Sequence, residues 1–95
     1  MSLWTVDIFK IRPGRELHFL ENCRGLARGS LTIFRDLENP QLFWSPAKWE
    51  SRESLDQWRH SERYTAVLHA LDADIFERST HLMESVRGFS PDNQK

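Results

Sequence analysis

The run from Leu3 to Ile11, Leu-Trp-Thr-Val-Asp-Ile-Phe-Lys-Ile, allows few folds. As an extended segment it sends Trp4, Val6 and Ile8 to one side and Leu3, Phe9 and Ile11 to the other, with Thr5 and Asp7 between the latter. Both sides are largely apolar. A strand that must be dry on both faces belongs inside a sheet that is covered twice. A chain of 95 residues forms one domain and buries only a modest core by itself, so further burial through self-association is expected.

The rest of the chain supplies the covering elements. Arg12-Pro13-Gly14 reads as a turn, after which Leu17, Leu20, Cys23, Leu26 and Ala27 recur at helical spacing until Gly29 supplies a stop. Ser30–Leu37 and Gln41–Trp49 are strand-like and are separated by the turn-forming Glu38-Asn39-Pro40, short enough for a hairpin. Pro46 cannot donate to a ladder, so a bulge or an unpaired stretch is expected there. Ser51 reads as the N-cap of a short helix carrying Leu55 and Trp58, and Ser61 as the cap of another. Tyr64, Val67, Leu68 and Leu71 follow the i, i+3, i+4, i+7 rule of one helix face, and Asp72-Ala73-Asp74 ends it. Alternation from Thr80 to Val86 predicts a last strand. The order β-α-β-β-α-β is that of an α+β, ferredoxin-like domain: a four-stranded antiparallel sheet with its helices on one face. Residues 1–89 form this domain and 90–95 a polar, frayed tail. The other sheet face, with Trp4, Val6 and Ile8, stays apolar, and a second copy of the chain is its simplest cover.

Several function classes are disfavoured. Thirteen basic and fourteen acidic residues alternate along the chain for a net charge of −1, so no basic face invites nucleic acid. Apolar runs fall far short of the roughly 20 residues of a membrane span, and the first residues lack a secretory pattern, which predicts a cytoplasmic protein without membrane contact. The single Cys23 cannot form an internal disulfide and sits in a helical stripe, as a core residue would. His18, His60, His69 and His81 form no pair at metal-ligand spacing, so no metal is expected. No phosphate-binding glycine loop or nucleophile elbow is present. Four tryptophans and six phenylalanines supply large apolar bodies, and the indoles bring N–H groups that need partners when buried.

Trp49-Glu50-Ser51-Arg52-Glu53-Ser54-Leu55, then Trp58, then Ser61-Glu62-Arg63-Tyr64, resembles a segment of the antibiotic biosynthesis monooxygenase superfamily, with its strand-ending tryptophan, a serine two residues later, and a Ser-x-x-(Tyr/Phe) close. The first strand leading into Arg12-Pro13-Gly14 is similar to that family's opening. The resemblance implies a homodimer whose two sheets pack into a dimeric α+β barrel, with a ligand cavity between sheet and helices of each protomer. In the haem-degrading branch, an asparagine on the first strand, the tryptophan and an iron-ligating histidine on the last helix match Asp7, Trp49 and Leu68 here, and only the tryptophan is kept. His69 lies one residue beyond, a rotation of roughly 100°. The branch of cofactor-free oxygenases acting on polycyclic phenols or quinols needs a dry aromatic pocket instead, and fits better.

On this reading the residues that would carry chemistry are Asp7, Trp49 and Tyr64, with Phe9, Leu68 and His81 touching the substrate. Asp7 is a carboxylate on an otherwise apolar strand, costly to bury unless paired, and suited to taking a phenolic proton; pairing with an arginine or exposure at a cavity mouth is the alternative. Trp49 at a strand end either walls a cavity or is a plain core tryptophan. Tyr64 sits mid-way along the inward helix face with a hydroxyl that needs a partner, or simply packs there. His81 shares a strand with cavity or interface positions, and Trp58 and Trp44 read as packing of the short helix and the sheet. The function expected is a cofactor-independent monooxygenase acting on a small apolar or aromatic molecule. A non-catalytic ligand-binding or stress-response protein on the same barrel is the alternative, and haem degradation a third.

Overall fold

A computed structural model of the chain describes residues 2–27 and 32–86. The elements are β1 (Leu3–Ile11), α1 (Glu16–Ala27), β2 (Phe34–Arg35), β3 (Leu42–Trp49), α2 (Arg52–Arg59), α3 (Glu62–Leu71), a 3-10 turn at Asp72–Asp74, and β4 (Ile75–Glu84). The strands form one antiparallel sheet in the order β2-β3-β1-β4. This is the ferredoxin-like α+β arrangement, and β1 takes the interior place that its two apolar faces require.

The helices cover the face of β1 that carries Thr5, Phe9 and Ile11, all buried. Phe9, Ile11 and Phe43 from the sheet meet Phe19 and Cys23 from α1 and Leu71 from α3. Phe19 stands between the other two rings, with centroids 5.4 Å from Phe9 and 5.2 Å from Phe43. Burying each such ring contributes about 1.5–3 kcal/mol. The expected stripe on α1 is therefore displaced: Leu17 is 73% exposed, and the inward row runs through Phe19 and Cys23, four residues apart. Leu17, two residues before Phe19, lies roughly 200° around the helix from it, so both cannot face the sheet.

Two strand expectations change, and at Pro46 the unpaired stretch, not a bulge, is what the sheet has. Ile11 N–H donates to Gln41 C=O at 2.8 Å, and the unbroken register from there makes Val6↔Pro46 a non-hydrogen-bonded pair. An imide nitrogen at that place faces away from β1, and β2 pairs only with Phe43 and Trp44, so the missing donor costs no ladder bond. β2 is much shorter than Ser30–Leu37. Asp36 Oδ1 accepts from the N–H groups of Glu38 (2.8 Å) and Asn39 (3.0 Å), a side-chain turn that takes the chain out of the sheet. Finally, β4 starts at Ile75 instead of Thr80 and ends at Glu84. As an edge strand with exposed, mostly polar side chains, it is held by backbone pairing to β1 and shows no apolar alternation to announce its first half. The irregularity in the sheet lies here, between Lys10 and Ile11 opposite Phe76. Gly29, Ser30 and the tail 90–95 lie outside the described residues.

The helix starts follow the sequence. Ser51 Oγ accepts from Ser54 N–H (3.1 Å) while Ser51 N–H donates to Ser54 Oγ (3.2 Å), a reciprocal cap on α2. Ser61 Oγ accepts from Tyr64 N–H (3.1 Å) to start α3. A clamp that the sequence did not announce joins the start of α1 to the 3-10 turn before β4: the fully buried Asp74 carboxylate accepts from Arg15 Nε at 2.8 Å and His18 Nδ1 at 2.6 Å. Burial pushes this carboxyl up, but the His18 and Arg15 hydrogen bonds and their charge outweigh it and hold its pKa below the usual range. Among the described residues, no helix is long and apolar enough to cross a membrane.

Candidate functional site

The β1 registers decide what the helix-covered face presents. Asp7 is paired with Ser45 on β3 and Thr80 on β4, so one row across the sheet is polar: Ser45, Asp7, Thr80. The next row toward the start of β1 brings Thr5, and Trp49 at the end of β3 donates its indole N–H to Thr5 Oγ1 at 2.9 Å. That bond pairs the buried Thr5 hydroxyl with the half-buried indole and sets the plane of the ring. Above these rows pass the end of α2 and the whole of α3. Sheet and helices do not close on one another here. They enclose a partly open cleft of about 310 Å³, deepening toward Phe9, Cys23 and Leu71.

Asp7 and Trp49 line the floor of this cleft, and Tyr64 and Leu68 its roof. Phe9 closes its inner end, yet is only 5% exposed and belongs to the aromatic core as much as to the cleft wall. His81 does not join them. It pairs with Val6, one residue on from Thr80, and alternation puts it on the opposite, helix-free face. The sequence pattern placed His81 in a strand correctly but left the face open, because only the β1–β4 register settles which parity looks inward.

Asp7 is not paired with an arginine. Thr80 Oγ1 donates to Asp7 Oδ1 at 2.5 Å, and among the described residues its second oxygen has no partner. The Tyr64 hydroxyl likewise has none among them, while its ring meets Trp58 edge-on at 5.5 Å between centroids. Ser61 arranges that contact: its Oγ donates to Trp58 C=O (2.7 Å) and accepts from Tyr64 N–H (3.1 Å), joining the end of α2 to the start of α3. Trp58 thus walls the cleft, beyond the helix-packing role expected of it. Arg59, Arg63 and Thr80 also line it and were not singled out in the sequence. A readable signal existed for Arg59: it follows Trp58 and lies four residues after Leu55, which is buried under α2.

Cys23, at the deep end, is buried. Burial first, and the nearby Asp74 charge second, push its thiol up to about 11. Leu68 lines both the cleft and an adjoining outer recess, and His69 lines only the recess. Among the described residues, no three histidine, cysteine or carboxylate side chains converge as a metal site.

A family model described as antibiotic biosynthesis monooxygenase matches residues 8–70, from the middle of β1 through most of α3. Among solved structures, a conserved protein from Methanosarcina mazei Go1 superposes with a TM-score of 0.80 at 18% identity, covering 90% of this chain and 94% of its own. A structure described as an antibiotic biosynthesis monooxygenase gives 0.76 at 22% identity over 88% and 98%. A NIPSNAP family protein from Agrobacterium tumefaciens gives 0.73 at 19% over 96% and 98%. At these identities the superpositions speak to the fold. No curated protein matches the sequence.

Proposed function

The chain belongs to the antibiotic biosynthesis monooxygenase family, and from that premise we propose that it is a cofactor-independent monooxygenase acting on a small aromatic or quinol-like molecule. The observation that carries the reading is a single carboxylate, Asp7, in a cleft otherwise walled mostly by aromatic and aliphatic side chains. An apolar cleft with a few placed polar groups is the usual form of a small-molecule site.

Asp7 Oδ2 takes the phenolic proton while Oδ1 stays held by Thr80. The resulting phenolate is electron-rich and itself reduces dioxygen. One oxygen atom forms the new bond to a ring carbon, the O–O bond breaks, and the other oxygen leaves as water with the phenolic and ring hydrogens, so that phenol and dioxygen become quinone and water. Trp49, fixed by Thr5, and Tyr64, fixed against Trp58, orient the ring between floor and roof. The protein works as a homodimer in this reading. The helix-free face offers Trp4, Val6 and Ile8 beside Trp44, which is 37% exposed, and Met83, 44% exposed, as the apolar surface a second copy would cover.

Oxygen uptake with a panel of naphthalene and anthracene phenols and quinols, corrected for spontaneous oxidation, tests the proposal. Protein-dependent uptake, with label from ¹⁸O₂ entering the quinone, is expected for at least one of them. Asp7→Asn should lower its kcat by roughly 10²-fold, the lower range of general-base catalysis. Ligands found beside Trp49 in soaked crystals, with no protein-dependent uptake across the panel, would replace this reading with a non-catalytic binding protein.

A further inference from the structure

Two guanidinium groups on the cleft wall are unexplained by a neutral aromatic substrate. Arg59 closes α2 and is half-buried; Arg63, in the first turn of α3, is exposed at the rim. Both line the cleft, and the one carboxylate lining it, Asp7, forms no ion pair with either of them. The cation–carboxylate contacts among the described residues are Arg15–Asp74, His18–Asp74 and Arg52–Asp56, so neither Arg59 nor Arg63 has a carboxylate within 4 Å. Setting a half-buried cation against an apolar cleft is unfavourable without a counter-charge. The surroundings reinforce it. An adjoining recess of about 550 Å³ shares Arg59, Tyr64 and Leu68 with the cleft and adds Arg78 and His69 against a single carboxylate, Asp72. In a chain of net charge −1, this one region sets three arginines against two aspartates.

We infer that Arg59 and Arg63 form an anion-recognition subsite at the rim of the cleft, and that the ligand is an aromatic acid whose carboxylate meets these guanidinium groups while its ring lies between Trp49 and Tyr64. The inference rests on the reading of the cleft as the substrate site and deepens it to a substrate class. Guanidinium chemistry suits this role, because its planar fork takes a carboxylate in two parallel hydrogen bonds and does so best where water is partly excluded. The two charges also divide the labour. Asp7 on the sheet receives a proton from the ring hydroxyl, while the arginines on the helix layer would bind the acid group and keep it away from Asp7. Arg59 and Arg63 are specificity-determining residues on this account and take no part in the oxygen chemistry.

Calorimetric titration with 2-naphthoate and 2-naphthol, which carry the same ring system with and without the charge, tests it without requiring turnover. At low salt the naphthoate should bind about tenfold more tightly, the factor that one charge-assisted contact supplies. The preference should shrink as salt is raised toward 0.5 M. In the double variant Arg59→Gln, Arg63→Gln, checked for an unchanged circular dichroism spectrum, the naphthoate should fall to the affinity of the naphthol while the naphthol is unaffected. Arg63→Gln alone, at an exposed position, gives a folded control with a partial loss. Equal binding of the two ligands by the native protein, or a preference that survives the double variant, overturns the inference, as does a failure of both to bind. A salt-sensitive, arginine-dependent preference in a protein that consumes no oxygen with any quinol would uphold the subsite and sink the monooxygenase.

Discussion

Removing the Asp74 carboxylate by Asp74→Ala should destabilise the fold by about 1.5–3 kcal/mol. Its side chain is fully buried and receives two charge-assisted hydrogen bonds, from Arg15 and His18, each of the kind worth about 1.5–3 kcal/mol. The donors are 47% and 49% exposed, so water recovers part of their hydrogen bonding once the carboxylate is gone, and the loss is about half the sum of the two. It stays below the roughly 3–5 kcal/mol of breaking a pair buried on both sides. For a domain of this size the melting temperature should fall by roughly 6–24 °C. Asp74→Asn keeps the shape and isolates the charge. Because the folded pKa of Asp74 is depressed below its ordinary value of 3.8, the carboxylate's contribution is complete above that value and is lost as pH falls from there through the folded pKa. The stability gap between native protein and Asp74→Asn should therefore narrow below about pH 4. Urea titrations at fixed protein concentration, at pH 7, 5 and 3, measure it. A change under about 0.5 kcal/mol for Asp74→Ala, or a gap that does not narrow in acid, would refute the view that this carboxylate clamps the start of α1 to the turn before β4.

Light scattering at micromolar concentration should give twice the 11.3 kDa of one chain, and Val6→Asp should yield monomer or unfolded protein, since an unpaired carboxylate buried in a sheet interface costs several kcal/mol; a folded, still dimeric Val6→Asp protein would mean that the interface lies on another face. Haem should bind only loosely, with a Soret spectrum indifferent to His69→Ala and no loss of the haem band under ascorbate and oxygen, because the cleft is lined by Leu68 and by no histidine, and His69 lines only the outer recess; a saturable shift abolished by His69→Ala would move the protein into the haem-degrading branch. Cys23, with its thiol raised to about 11 and its side chain buried, should resist a disulfide reagent at pH 8 until denaturant is added, and rapid labelling of the native protein would show that the core near Phe19 opens easily.

What could be read from the chain alone was governed by neighbours in sequence. The β1 strand matched its apolar pattern from Leu3 to Ile11, and α2 and α3 began at the serines that cap them, because alternation, caps and turns are decided within a few residues. The family followed from the same local marks around Trp49, Trp58 and Tyr64. The edges escaped that logic. β4 carries few apolar residues on its first half, and its strand conformation comes from β1, far away in sequence. Tertiary pairing also decided the site. Asp7, Ser45 and Thr80 come from three strands and become one row only through two registers, and those registers send His81 to the far face. Trp58 and the two arginines reach the cleft because Ser61 bends α2 into α3 above the sheet. The Asp74 clamp joins residues more than fifty positions apart, and no periodicity links Arg15 and His18 to a carboxylate that distant. Local rules say which segments are strands and helices; the partner each polar side chain finds depends on long-range pairing, in which a shift of one residue reverses every side chain of a strand.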